Sequence, residues 1–300
     1  MKKITRRAFV RGSLGAWAGA AIMGRPGSGA EMIKLDKEAT GRSLSPASAG
    51  QFELGLASYT FREFDLESTL AMAGRLGLAR IALKSVHLPL ESSEAEIRAA
   101  TAKIRAAGLV LYGCGVVYLT SEAEVEQAFA YARAGGMEII IGVPGHRLLG
   151  RVEQKVRETG IKLAVHNHGP GDLLYPTPRS ILDRVGTLDP RIGVCLDIGH
   201  CQRSGIDPSE AAAACGARLL DVHLKDVTAP TKDGTAVEAG RGVIDIPRFL
   251  RTLVAMDYRG MASFEYEKDG RDPLPGLAES LGYVRGILAS LDDSGNILRH

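Results

Sequence analysis

Six of the chain's seven histidines, His87, His146, His166, His168, His200 and His223, fall at or just beyond the end of a short apolar run. Imidazole is the commonest metal ligand and the one side chain whose ordinary pKa lies near neutrality, so histidines gathered on one rim point to metal binding or proton transfer. A lone histidine is more often a hydrogen-bonded surface or core residue; six in equivalent positions are not explained that way. Two carboxylates sharpen the reading. Asp197 ends the run Cys195-Leu196-Asp197, and Glu265 ends Ala262-Ser263-Phe264-Glu265. A charge taken into such surroundings costs several kcal/mol unless it is paired, and a cation is the simplest partner. An ion pair with Arg or Lys would satisfy either carboxylate singly.

The elements that must position these groups are short apolar runs alternating with helical patterns. The runs are Phe52–Tyr59, Ala79–Leu83, Val110–Val117, Glu138–Val143, Lys162–Val165, Ile192–Leu196, Leu219–Leu224 and Gly260–Phe264. Each is followed by a segment with apolar residues at three- and four-residue spacing, as in Ser93–Ala107, Glu122–Gly135 and Pro247–Met256. Ser121, Asp207 and Asp245 stand where helix N-caps belong, and Gly108 and Gly160 where C-caps belong. Eight such units in about 240 residues, with no GxGxxG after the first strand, predict an α/β chain folded as a single (β/α)8 TIM barrel. An open doubly wound sheet is the alternative. In a barrel the strand ends form one face, where active sites are built.

Five segments then occur in order: Val165-His166-Asn167-His168-Gly169, Asp197-x-x-His200, His223-Leu224-Lys225-Asp226, Gly240-Arg241-Gly242 with Asp245, and Glu265. In this order the chain resembles the xylose-isomerase-like TIM barrels, the sugar phosphate isomerases/epimerases that include tagatose and psicose 3-epimerases and share a fold with apurinic endonucleases. The resemblance covers about residues 52 to 290. It implies one divalent metal ion held from strands five to eight by Asp197, His223, Glu265 and, in place of the family's usual glutamate, His166. Two imidazoles and two carboxylates suit Mn²⁺, Co²⁺, Fe²⁺ or Zn²⁺ better than Mg²⁺.

The same resemblance implies proton abstraction alpha to a carbonyl through an enediolate that the metal stabilises, as in a sugar isomerase or epimerase, with Glu265 as base. In the epimerases two glutamates share the proton work; here the second acid/base falls among His166, His168, Lys225 and Glu267. His200 and Arg241 match positions that bond substrate oxygens, His200 standing also among the catalytic candidates. His168, Tyr59, His87 and Lys84 are placed around the sugar pocket. With one glutamate rather than two, a lyase becomes the alternative, cleaving a 3-keto-glycoside or dehydrating an inosose. A sugar-binding barrel without catalysis and an apurinic endonuclease are the remaining readings. Family barrels also imply homodimers.

Residues 1–30 carry six basic residues and no acid, so the remainder has 31 basic against 35 acidic groups, a net −4. Without a basic patch, nucleic acid is not an expected partner, which argues against the endonuclease. The run Thr5-Arg6-Arg7-Ala8-Phe9-Val10-Arg11 resembles a twin-arginine signal, followed by a weakly apolar stretch and the small residues Ser28-Gly29-Ala30. Residues 1–30 are therefore expected to be a signal peptide read by the twin-arginine export machinery, 31–51 a linker, 52–290 the barrel and 291–300 a tail. The expected location is the periplasm, membrane-anchored if the leader is uncleaved. There the substrate would be a neutral sugar, keto-sugar or glycoside rather than a sugar phosphate. Cys114, Cys195, Cys201 and Cys215 contain no CxxC and are read as buried thiols, with a Cys195–Cys201 disulfide as the alternative.

Overall fold

The computed structural model describes residues 52–292 and Asn296. The expected signal peptide and linker lie outside the described residues, as does the tail apart from Leu291, Asp292 and Asn296. Strands β1 (Glu53–Ala57), β2 (Arg80–Leu83), β3 (Val110–Leu119), β4 (Ile139–Pro144), β5 (Lys162–His166), β6 (Ile192–Asp197) and β7 (Leu219–Leu224) are joined by an eighth barrel strand, β10 (Met261–Phe264). All neighbours pair in parallel, and β1 pairs with both β2 and β10. That closure makes the barrel and removes the open sheet. Two-residue strands β8 (Asp226–Val227) and β9 (Ala236–Val237) form a small antiparallel hairpin beside it.

Helices α1 (Leu66–Arg75), α2 (Glu94–Ala106), α3 (Glu122–Ala134), α4 (Leu149–Thr159), α5 (Pro178–Val185), α6 (Ile198–Arg203), α7 (Pro208–Cys215), α8 (Ile246–Ala255) and α9 (Leu274–Ala289) connect the strands. The expected caps act as such. Ser121 and Glu124 form a reciprocal capping box on α3, Asp207 and Asp245 accept backbone N–H bonds at the starts of α7 and α8, and Gly160 ends α4 at φ 76°. Each such cap contributes about 1 kcal/mol.

The core lies between strands and helices. In β4 all six residues are buried, as expected where a parallel sheet is covered on both faces. Leu70, Val125, Phe249 and Leu277 bring the apolar faces of α1, α3, α8 and α9 onto it. The four cysteines are all buried and unpaired, so Cys195 and Cys201 form no disulfide. Among the described residues no helix is long and apolar enough to cross a membrane.

Candidate metal centre and active site

The C-terminal ends of β5, β6, β7 and β10 are consecutive around one half of the barrel mouth. His166 is the last residue of β5, Asp197 the last of β6, His223 the fifth of β7, and Glu265 follows β10. Register fixes their height: His166 stands beside Cys195, Asp197 beside His223, and Ser263 beside His223. All four side chains are buried and offer donor atoms within 4.8 Å of one another. His166 Nε2 is 3.2 Å from His223 Nδ1 and 3.5 Å from Asp197 Oδ2, and His223 Nδ1 is 3.2 Å from Glu265 Oε2. Donors about 2.0–2.1 Å from a tetrahedral ion stand roughly 3.3–3.4 Å apart, so the three spacings given are close to those a divalent metal would need. The outer nitrogens, His166 Nδ1 and His223 Nε2, find no partner among the described residues.

The spacing of Asp197-x-x-His200 has a local cause. Asp197 is the N-cap of α6, and its Oδ1 accepts the His200 N–H at 2.7 Å, leaving Oδ2 turned to the cluster. Asn167, fully buried, fixes the same residue from the next strand: its amide donates to Asp197 O at 3.1 Å and its Oδ1 accepts Asp197 N–H at 2.9 Å. Between the two carboxylates stands Lys225, its Nζ 2.8 Å from both Asp197 Oδ2 and Glu265 Oε2 and 3.4 Å from Glu267 Oε1. Gly199 makes room for it, because a Cβ there would sit 2.4 Å from Lys225 Cγ.

Protonation follows from this packing. Burial pushes the His166 imidazole down to about 3, against the pull of Asp197, so it is a neutral donor whose lone pair suits a metal. Burial also lowers His200 and His168. Burial would lower His223, but Glu265 and the nearby aspartates more than offset it and raise this imidazole. For Asp197 and Glu265 burial works upward, and the Lys225 ammonium overcomes it, holding both below the usual carboxylate range. Lys225 itself is desolvated, yet three carboxylates keep its ammonium firmly protonated.

Of the other expected residues, His168 and His200 line the mouth: their rings lie 4.5 Å and 5.9 Å from that of His166. Tyr59 stands at the β1 end with Arg62 and Lys84 about its ring, at 5.0 and 5.7 Å. Two expectations give way. His87 is turned under the loops, with Nδ1 2.9 Å from Ser58 Oγ and Nε2 3.0 Å from Thr69 Oγ1, so both nitrogens serve the scaffold. Arg241 is exposed and pairs with Glu279 on α9. The glycines around it serve Asp226, whose Oδ2 accepts the N–H groups of Gly240 and Gly242 at 2.9 and 3.0 Å. A Cβ at Gly242 would lie 2.2 Å from that carboxylate. His146 likewise holds a loop, its Nε2 bonding Leu174 O at 3.2 Å.

Three neighbours of the site escape sequence reading. Asn167 lies inside the His-Asn-His motif but carries no charge to flag it. Tyr118, half exposed at the end of β3, stacks on His168 at 5.5 Å and bonds its Nε2 at 3.1 Å. Asp221, two residues before His223 and fully buried, is raised by desolvation to about 7.

A barrel with its polar donors gathered at the strand ends is the architecture of a known class, and the signature of the xylose isomerase-like TIM barrels matches residues 70–287. The chain belongs to that family. It is 27% identical over 154 residues to the rhizopine catabolism protein MocC of Rhizobium meliloti, covering 46% of this chain and 45% of that protein. It is 28% identical over 153 residues to the inosose dehydratase of Geobacillus kaustophilus, covering 46% of this chain and 47% of the dehydratase. The match thus spans less than half the length of each. Among solved structures, the IolI protein with a binding zinc atom superposes with a TM-score of 0.65 at 15% identity, over 79% of this chain and 98% of that one.

Proposed function

We propose that the chain is a divalent-metal-dependent lyase that removes a proton alpha to the carbonyl of a keto-sugar or keto-polyol and expels the oxygen substituent on the next carbon. One observation carries this reading: the four-donor cluster contains a single glutamate, Glu265, and its β5 position is filled by a neutral, buried imidazole. Epimerisation needs a group on each face of the reacting carbon, whereas elimination needs one base and an acid for the departing oxygen. His166 spends its Nε2 on the cluster and has no role left as that second base. The likeness to an inosose dehydratase over part of the chain supports the same class.

His166, Asp197, His223 and Glu265 would hold Mn²⁺, Fe²⁺, Co²⁺ or Zn²⁺, the nitrogen content favouring the later metals. When bound, the ion supplies positive charge that acidifies the C–H beside a carbonyl and stabilises the charge that develops on oxygen. Glu265 accepts the proton, and Lys225 keeps it ionised and ready at neutral pH. His200 and His168, held neutral by burial, present ring nitrogens to substrate hydroxyls, and Tyr118 orients His168. Asn167 and the cap on α6 keep Asp197 in place. With the leader directing export, the substrate is a neutral sugar met outside the cytoplasm; a reporter fused to residues 1–30 and assayed with and without a working twin-arginine pathway tests that part.

The experiment is metal reconstitution followed by incubation with 3-keto-glucosides and inososes, read by the absorbance and NMR spectrum of an unsaturated ketone. Release of the substituent, abolished in Glu265→Gln, is expected. Interconversion of stereoisomers without release would establish the isomerase or epimerase instead. No consumption of any keto-sugar by metal-loaded protein would sink both.

A further inference from the structure

Two lysines stand at the barrel mouth, and their surroundings are opposite. Lys225 is locked among three carboxylates and cannot give up its proton. Lys84 follows β2, and in the order β1-β10-β7-β6-β5-β4-β3-β2 that strand faces β6 across the barrel. Lys84 therefore stands across the mouth from Asp197, on the half that contributes nothing to the metal donors.

Lys84 is built into this position. Its backbone N–H donates to Ser58 Oγ at 2.8 Å, and Ser58 is held in turn by the buried His87. Its Nζ donates one proton to Val116 O at 2.5 Å, and the ammonium lies 5.7 Å from the centre of the Tyr59 ring. Residues that follow β1 and β2 and one within β3 thus fix one ammonium that has no carboxylate within ion-pairing distance among the described residues. An unpaired, half-buried ammonium across the barrel mouth from four candidate metal donors is an unusual thing to build for packing alone.

We propose that Lys84 is the general acid that protonates the departing oxygen. The inference rests on the lyase reading. In the step, the bond from the alpha carbon to hydrogen breaks, with its proton passing to Glu265. The electron pair forms the new carbon–carbon double bond, the bond from the next carbon to oxygen breaks, and that oxygen takes a proton from Lys84 Nζ. The products are an unsaturated ketone and an alcohol or water, and no further reactant is needed. Burial lowers the pKa of Lys84, only partly countered by the charge of Glu265, which makes it a readier donor than an exposed lysine. The other groups about it are the Tyr59 phenol, the Arg62 guanidinium over the same ring and His87 behind Ser58.

The test compares two 3-keto-glucosides on the metal-loaded protein, one with a methoxy leaving group and one with 4-nitrophenoxide, which departs without protonation. In Lys84→Met, turnover of the methyl glycoside is expected to fall by about 10²–10⁴-fold, the usual contribution of a general acid, and that of the nitrophenyl glycoside by less than about tenfold. Lys84→Arg should show the same split, because a guanidinium keeps the charge but does not yield a proton. Metal content is measured on each variant, so that loss of the ion is not read as loss of the acid. Equal falls with both glycosides, or an arginine variant that turns over the methyl glycoside normally, would overturn the assignment while leaving the lyase reading intact. Failure of the wild type on both glycosides overturns this assignment for glycoside substrates, and failure on inososes as well removes the lyase reading with it.

Discussion

Asp197 and Asp226 are both fully buried and both close to strand ends, yet their partners differ in kind. Asp226 is surrounded by backbone: Oδ1 accepts Val227 N–H at 2.8 Å and Ile244 N–H at 3.2 Å, and Oδ2 accepts Gly240 and Gly242. Those donors belong to the loop itself and cannot step aside. Asp197 gives only Oδ1 to the backbone; Oδ2 faces an ammonium and an imidazole, both side chains that can move or rebind. A buried carboxylate satisfied by four N–H groups closes a loop, whereas one that keeps an oxygen turned toward side-chain donors is available to a cation.

The sharpest break of this comparison is an isosteric pair of variants. Asp197→Asn keeps the acceptor that caps α6 but loses the charge, and metal affinity should fall by more than about a hundredfold, beyond the 10–100-fold typical of an outer partner. Its melting temperature should fall as well, because an NH₂ then faces the buried Lys225 ammonium, so metal content is the readout that separates the two variants. Asp226→Asn turns an amide NH₂ against N–H donors, and each bond lost in the interior costs about 1–3 kcal/mol. A fall in melting temperature of several degrees is expected with metal content of the folded protein unchanged. Elemental mass spectrometry and thermal denaturation measure both. Metal lost from Asp226→Asn with no change in melting temperature would erase the distinction.

The same contrast explains what could be read from the chain. The eight strands and the caps at Ser121, Asp207 and Asp245 follow from patterns written locally, and so does the placing of His166, Asp197, His223 and Glu265 at strand ends; that these four form one candidate donor set is implied by the family resemblance. Direction is not written there. His87 and His146 occupy rim positions as the other histidines do, but their rings turn under the loops to bond Ser58 and Leu174. Arg241 sits in a glycine-flanked loop suited to an anion, and the anion is Asp226, a residue of the same chain distant by 15 positions, 241 minus 226. Helix α6 and the β8–β9 hairpin are too short for periodicity to announce them. Lys84 could be placed near the pocket from its position after a strand, but the contacts to Ser58 and Val116 that fix it there are not written in the sequence.

Asn167 offers a finer test, since it touches Asp197 only through the backbone. Asn167→Ala leaves every metal donor present but releases the β5–β6 clamp. Metal affinity should fall about 10–100-fold, as for outer partners of a metal site, and stability by about 1–3 kcal/mol because Asp197 N–H and C=O lose their buried partners. Competition with a chromogenic chelator reads the first and urea denaturation the second. Loss of stability with metal affinity intact would show that the α6 cap alone positions Asp197.

The smallest effect belongs to a third carboxylate. Glu238, in the loop after β9, has two side-chain partners: Lys268 Nζ at 2.8 Å and the Tyr266 hydroxyl at 2.8 Å. Lys268, the first and larger influence, lowers its pKa to about 2. Because the folded-state pKa lies below the ordinary 4.5, the stabilisation is fully present above pH 4.5 and is lost as the pH falls toward 2. Solvent around the half-exposed lysine screens the pair, so the contribution is small. Chemical denaturation between pH 6 and pH 3, about the range in which an ordinary glutamate titrates, should show this slope in the wild type and a smaller one in Lys268→Met. An unchanged slope would mean that the pair, unlike the carboxylates at the metal centre, contributes nothing beyond holding the Tyr266 hydroxyl.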